Sequence, residues 1–140
     1  KLVLMMQAGN LHVSTVNQEA ALRAAKKLFP GHLEKLRASY RTKRDGMLQT
    51  LAETMPGDVS WTKPEGGMFV WLTLPEHINA SQLLEEALED VHVAFVPGQA
   101  FFTDGSGKNT ARLSFSTEKV DRIRDGITRL ADLIKRKDNQ

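Results

Sequence analysis

Arg112, in the segment Thr110-Ala111-Arg112-Leu113-Ser114-Phe115-Ser116, is the residue of this chain whose type and setting are best suited to chemistry. The segment alternates. Ala111, Leu113 and Phe115 fall on one side of an extended chain, and Arg112, Ser114 and Ser116 on the other. Burying the apolar trio beneath helices leaves a guanidinium and two hydroxyls on the opposite face. A guanidinium there presents a planar fork that matches a carboxylate, and each charge-assisted hydrogen bond contributes roughly 1.5–3 kcal/mol. The competing reading is an arginine on the solvated face of an edge strand. Alternation alone favours that reading, because most strand arginines are solvated or paired internally.

Two loop signals follow. Gly66-Gly67 and Pro97-Gly98 allow positive φ and close approach of a ligand to the backbone, but ordinary turn chemistry accounts for each. Neither belongs to a phosphate loop, which needs a glycine-rich run followed by Lys-Ser/Thr. Ser14, Thr15 and Asn17 stand at a helix entry, where N–H groups can hold an anion. Capping explains them better: Thr15 to Gln18 reads as a capping box, with Thr15 accepting from the backbone near Gln18. Tyr40, Trp61 and Trp71 run in phase with apolar neighbours and read as core or interface, not as a stacking platform. Glu85, Glu86, Glu89 and Asp90 read as the solvated face of one helix.

Composition removes several classes of function. The chain has no cysteine, which excludes disulfides, thiolate catalysis and cysteine-ligated metals. Its histidines (His12, His32, His77, His92) show no metal-ligand spacing, no Ser-His-Asp grouping stands out, and no metal is expected. A net charge of +2, scattered apart from Lys135-Arg136-Lys137, gives no footprint for nucleic acid. No apolar run approaches the ~18 residues of a membrane span and no signal peptide opens the chain, so a cytoplasmic protein is expected. With 41% apolar and 26% charged residues, the 140-residue chain is an ordinary single-domain composition able to bury a core. It begins at Lys1, not at a methionine, and is expected to be a piece of something longer.

The elements that must position Arg112 can be read along the chain. An apolar run over residues 1–8 reads as the tail of a helix. An alanine-rich helix is expected from Thr15 to about Phe29, broken by Pro30-Gly31. Leu33, Leu36, Tyr40, Met47, Leu51 and Met55 then share one face of a long helix ending at Pro56-Gly57-Asp58. The period next changes to two, with Val59, Trp61 and Lys63 alternating against Ser60 and Thr62. Met68 to Leu74 is apolar on both faces and reads as a central strand. Asn79 is placed to cap a helix carrying Leu83, Leu84, Ala87 and Leu88. Val93-Ala94-Phe95-Val96 reads as a short strand. Thr117 is placed to cap a last helix that lines up Val120, Ile123, Ile127, Leu130 and Ile134. The expected class is α+β, a small and mainly antiparallel sheet with helices packed on one face.

Three segments taken together carry a resemblance. Lys63-Pro64-Glu65-Gly66-Gly67-Met68-Phe69-Val70-Trp71, then Val93 through Phe101 (Val-Ala-Phe-Val-Pro-Gly-Gln-Ala-Phe), then Asn109 through Ser116 occur in this order and at this spacing. The chain resembles, over essentially its whole length, the C-terminal part of class I/II aminotransferases of the type I fold, which use pyridoxal phosphate. The nearest subgroup is that of 2-aminoadipate and kynurenine-type transaminases and the aminotransferase-like domains of MocR-type regulators. Any one motif is weak, and three in register are specific.

The resemblance implies roles. Arg112 matches the arginine that binds the substrate's α-carboxylate, and the Gly66-Gly67 loop lies near the substrate mouth. The region around Ser14-Thr15 matches one near the dimer interface. The Schiff-base lysine, the aspartate that pairs with the pyridine nitrogen and most of the phosphate cup lie upstream of the position of Lys1 in that family. No residue of this chain is therefore assigned as catalytic. The resemblance implies one C-terminal domain over 1–140, with 1–29 as connecting or interface helices, a missing upstream large domain, and a homodimer when whole. The implied reaction moves an amino group between an amino acid and a 2-oxo acid, and the chain alone is expected to be inactive. Two rivals remain, the effector domain of a MocR-type regulator and a free-standing α+β interaction module.

Overall fold

The structure, a computed structural model, describes residues 1–138. Its contacts divide the chain into two compact units, Lys1–Ala38 and Ser39–Gln140.

The first unit holds helix α1 (Leu2–Asn10) and the start of helix α2 (Thr15–Thr54). Helix α1 is rich in apolar residues yet buries none of them. The cap of α2 lies one residue earlier than the sequence reading placed it. With Thr15 as the first helical residue, the N–H three places beyond the cap is that of Asn17, and it donates to Ser14 Oγ at 3.4 Å. Gln18 Nε2 reaches back to the Val13 carbonyl at 3.0 Å, so the reciprocal bonding is kept with Ser14 in place of Thr15.

Pro30-Gly31 does not end the helix as expected; α2 runs through it to Thr54. Proline removes one N–H from the ladder and costs about 3 kcal/mol inside a helix. The segments on either side, Ala-Ala-Lys-Lys-Leu and His-Leu-Glu-Lys-Leu, are good enough helix formers to carry the backbone across.

The second unit is a four-stranded antiparallel sheet in the order β1-β2-β4-β3, made of β1 (Ser60–Trp61), β2 (Phe69–Thr73), β3 (Val96–Pro97) and β4 (Thr110–Ser114). Helix α3 (Ala80–Asp90) follows β2, a 3-10 turn over Gly98–Phe101 follows β3, and helix α4 (Val120–Asp138) closes the chain. The architecture is α+β. Val70, Leu72, Ala111 and Leu113 form the covered face of the sheet and are buried. Met47 and Leu51 from α2, Leu83 and Ala87 from α3, and Ile123, Ile127, Leu130 and Ile134 from α4 complete the same core. Tyr40 meets Phe115 edge to face with ring centres 6.5 Å apart.

Three local expectations shift. Of the strand expected over Val93 to Val96, only Val96 and Pro97 pair with β4. The Val93 N–H instead donates to Ala87 O at 2.9 Å, closing the end of α3, and His92 before it turns the chain with φ 53. A backbone group committed to a helix end is lost to a ladder. Thr117 does not cap α4. The helix begins at Val120, Ile123 N donates to Lys119 O at 3.0 Å, and Thr117 Oγ1 sits by Ser116 Oγ instead. Of the apolar residues that α3 was expected to carry, Leu83 and Ala87 are buried and Leu88 is 47% exposed.

Asn79 does cap α3, its Oδ1 accepting from Ser81 N at 2.9 Å and from Gln82 N at 3.5 Å. Replacing it with alanine is expected to lower stability by about 1 kcal/mol in urea denaturation. Leu51→Ala, which empties a fully buried position, is expected to lower it by about 2–5 kcal/mol with an unchanged m-value.

Candidate carboxylate-binding site

Strand β4 is internal, between β2 and β3, so Arg112 is not an edge-strand arginine. In the ladder it stands opposite Trp71 of β2 and Val96 of β3. Residues directly opposite share a face. Trp71 and Val96 therefore stand with Arg112 on the outer face, away from the buried Ala111 and Leu113. The Arg112 Cζ lies 4.2 Å from the centre of the Phe69 ring and 4.7 Å from that of Phe101. Its Nε is buried and has no hydrogen-bond partner. Among the described residues no carboxylate reaches ion-pair distance of this guanidinium.

A cavity of about 170 Å³ opens beside Arg112, lined also by Phe69, Ala94, Phe95, Val96 and Ser114. Its walls are mainly apolar, and Arg112 is the one charged residue among those that line it. Ser114 Oγ is 3.0 Å from Ser116 Oγ, so the two hydroxyls beside Arg112 bond to each other. The combination of one unpaired planar cation, aromatic flanks and a small apolar recess suits a monoanion with an organic tail.

The other candidates separate. Gly66 and Gly67 form an exposed turn before β2, and Gly67 has φ 78. Gly67 precedes Trp71 by four residues, roughly 13 Å of extended chain, and neither glycine lines the Arg112 cavity. Gly98 is a packing residue: a Cβ there would meet Trp71 Cζ2 at 2.8 Å and collide with Thr110 Oγ1. Trp61 and Tyr40 pack against the core as expected. Glu86 pairs with Lys137 at 2.6 Å, while Glu85, Glu89 and Asp90 are exposed. In the loop before β4, the Ser106 hydroxyl and then its N–H hold the Asp104 carboxyl below its ordinary pKa. Among the described residues no group of His, Asp or Glu side chains is arranged to hold a metal ion, and no helix is long and apolar enough to cross a membrane.

Reasoning from the sequence missed Phe69 and Phe101, and it took Trp71 for core or interface. The signal was present in β2, where the aromatic residues Phe69 and Trp71 alternate with the aliphatic Val70 and Leu72. Two apolar faces of different kinds belong to different environments.

Comparison with known proteins places this geometry. The model of the family "Aminotransferase class I and II" matches residues 2–127. Aromatic-amino-acid aminotransferase 1 of Thermococcus litoralis is 45% identical over 136 residues, covering 96% of this chain and 32% of that protein. The crystal structure of LysN, an alpha-aminoadipate aminotransferase from Thermus thermophilus complexed with N-(5'-phosphopyridoxyl)-L-leucine, superposes with a TM-score of 0.85 at 42% identity. That match covers 96% of this chain and 34% of that one. A more distant relative is the HTH-type transcriptional regulator NorG of Staphylococcus aureus, 32% identical over 79% of this chain and 24% of its own length. The chain spans about a third of the length of the curated relatives it matches first. On the extent of the family match and the identity to these relatives, this chain belongs to the class I and II aminotransferases.

Proposed function

We propose that these residues are the C-terminal domain of a pyridoxal-phosphate-dependent aminotransferase that moves an amino group between an amino acid and a 2-oxo acid, and that Arg112 binds the substrate's α-carboxylate. The observation that carries the reading is the state of Arg112. It lies on the outer face of an internal strand, over two aromatic rings, beside a small cavity and without a carboxylate partner among the described residues. Two charge-assisted hydrogen bonds from one guanidinium fix both the position and the plane of a carboxylate. Holding that end of the amino acid removes much of its rotational freedom before reaction, which is how positioning accelerates chemistry. The exposed Gly66-Gly67 turn forms the rim of the substrate mouth in this reading.

Pyridoxal phosphate, when bound, supplies the electron sink for chemistry at the amino-acid Cα. The residues around Arg112 do not fit it. The cavity of about 170 Å³ has no lysine and no second cation for a phosphate. In this reading the cofactor is held mainly by an upstream domain outside these 140 residues. Residues 1–140 are in this reading one domain, with 1–29 as helices that meet the upstream domain or the second subunit of a homodimer. The exposure of Leu2, Val3, Leu4 and Met5 on α1 supports that part, since such a surface asks for cover.

A second reading has one observation in its favour, the likeness to NorG. In that reading this domain would sense a carboxylate ligand inside a longer regulator, and Arg112 keeps its role without turnover. The two readings part in the full-length protein, which either transaminates or binds DNA in response to the amino acid.

In the full-length protein, Arg112→Ala is expected to lower kcat/KM by the equivalent of about 1.5–3 kcal/mol. Arg112→Lys is expected to recover only part of this, because an ammonium restores the charge and not the fork. Unchanged kinetics in both variants would remove Arg112 from the site. Titrating pyridoxal phosphate into the isolated 140-residue chain is expected to leave the visible spectrum of free cofactor. A new protein-bound absorbance band would place the cofactor site within this chain.

A further inference from the structure

The outer face of the sheet carries a built aromatic cluster around Arg112. Trp71 stands opposite Arg112 in the ladder and meets the Phe101 ring edge to face, with centres 5.6 Å apart at 76°. Phe102 tilts against the same Trp71 at 6.1 Å. Two glycines make room for these rings. Gly98 leaves no space for a Cβ against Trp71, and Gly107, at φ 71, sits directly against the Phe102 ring. Phe69 is 38% exposed and Phe101 50% exposed, so neither is held in place by core burial.

We propose that Phe69 and Phe101 are positioning residues that orient the Arg112 guanidinium through their ring faces, in place of a carboxylate partner, and so leave its hydrogen-bonding edge free for the ligand's carboxylate. The proposal rests on the carboxylate reading of Arg112 given above. An acidic neighbour would orient the guanidinium too, but it would occupy the donors the ligand needs. Aromatic rings attract the cation through their quadrupoles and accept none of those bonds. The Nε of Arg112 is itself buried and unpartnered, with the guanidinium carbon 4.2 and 4.7 Å from the two ring centres. Pre-orientation matters because a free arginine loses rotamer entropy when it is ordered on binding. Trp71 acts one step further out by fixing Phe101.

The test uses the full-length protein and two unreactive carboxylates with different tails, 3-phenylpropionate and 4-methylpentanoate, with dissociation constants read by calorimetry. Phe69→Leu and Phe101→Leu are each expected to weaken both ligands by about 3- to 10-fold, and by the same factor for both. Phe101→Tyr, which keeps the ring face, is expected to return binding to within about twofold of the parent. Urea midpoints of these surface variants should stay unchanged. Weakening that differs between the two tails would make the rings contacts for the ligand's tail and overturn the proposal. So would leucine variants that bind as the parent does, a tyrosine variant that fails to rescue, or a loss of binding that tracks a fall in the urea midpoint. Arg112→Ala separates the two levels. If it leaves both dissociation constants unchanged, or if the parent binds neither acid, the carboxylate reading itself fails. If it abolishes binding while the leucine variants do not weaken it, only the aromatic clamp fails.

Discussion

The antiparallel ladder between β2 and β4 is the constraint on which the rest of this unit depends. Five pairs, from Phe69 opposite Ser114 to Thr73 opposite Thr110, fix which residues face the helices and which face outward. Val70, Leu72, Ala111 and Leu113 go inward to the core of α2, α3 and α4. Phe69, Trp71 and Arg112 go outward together. A slip of one residue in β4 would bury the guanidinium and expose Leu113. The core therefore holds the site in register, and no separate device is needed to turn Arg112 outward.

How much of this was legible in the sequence depended on the range of each signal. The parity of β4 was legible because alternation is a property of neighbouring residues: Ala111, Leu113 and Phe115 read as buried, and they are. The internal place of β2 was legible from its run of apolar residues, although Phe69 on its outer face is 38% exposed. Whether β4 is an edge strand was not legible, because that is decided by which distant segments pair with it. The strand before it in sequence, β3, lies outside it in the sheet. The cap of α2 was misplaced by one residue, because two hydroxyls, Ser14 and Thr15, stand side by side at the boundary; α4 begins at Val120, beyond the hydroxyl at Thr117 that was read as its cap. The helical course through Pro30-Gly31 is a competition between one lost hydrogen bond and many flanking residues, and a local punctuation rule sees only the first.

The motifs that carry the family resemblance gain individual physical meanings from the structure. Gly98 read as ordinary turn chemistry, with close approach of a ligand as the lesser alternative. It is instead where the chain passes too close to Trp71 and Thr110 for any side chain. Phe101, three residues later, was read only as part of that motif and is one of the two rings beside the Arg112 guanidinium. The Pro97-Gly98-Gln99-Ala100-Phe101 motif is thus tied to the arginine strand through Trp71, which accounts physically for motifs far apart in sequence occurring together.

A second arginine bears on the role proposed for Arg112. Arg129 of α4 also has a buried Nε without a partner. Its terminal nitrogens, however, are engaged: one donates to the Val91 carbonyl and the other to Asp125 Oδ2 at 2.8 Å. Arg129 ties the end of α3 to α4, and its charge is answered within the fold. Arg112 shares the orphaned Nε and has no such bonds. Withdrawing a cation from water without a counter-charge costs free energy, and the two rings return only part of it. A fold selected for stability alone gains from pairing or replacing such a residue, whereas a site that receives a carboxylate needs its cation unpaired until the ligand arrives.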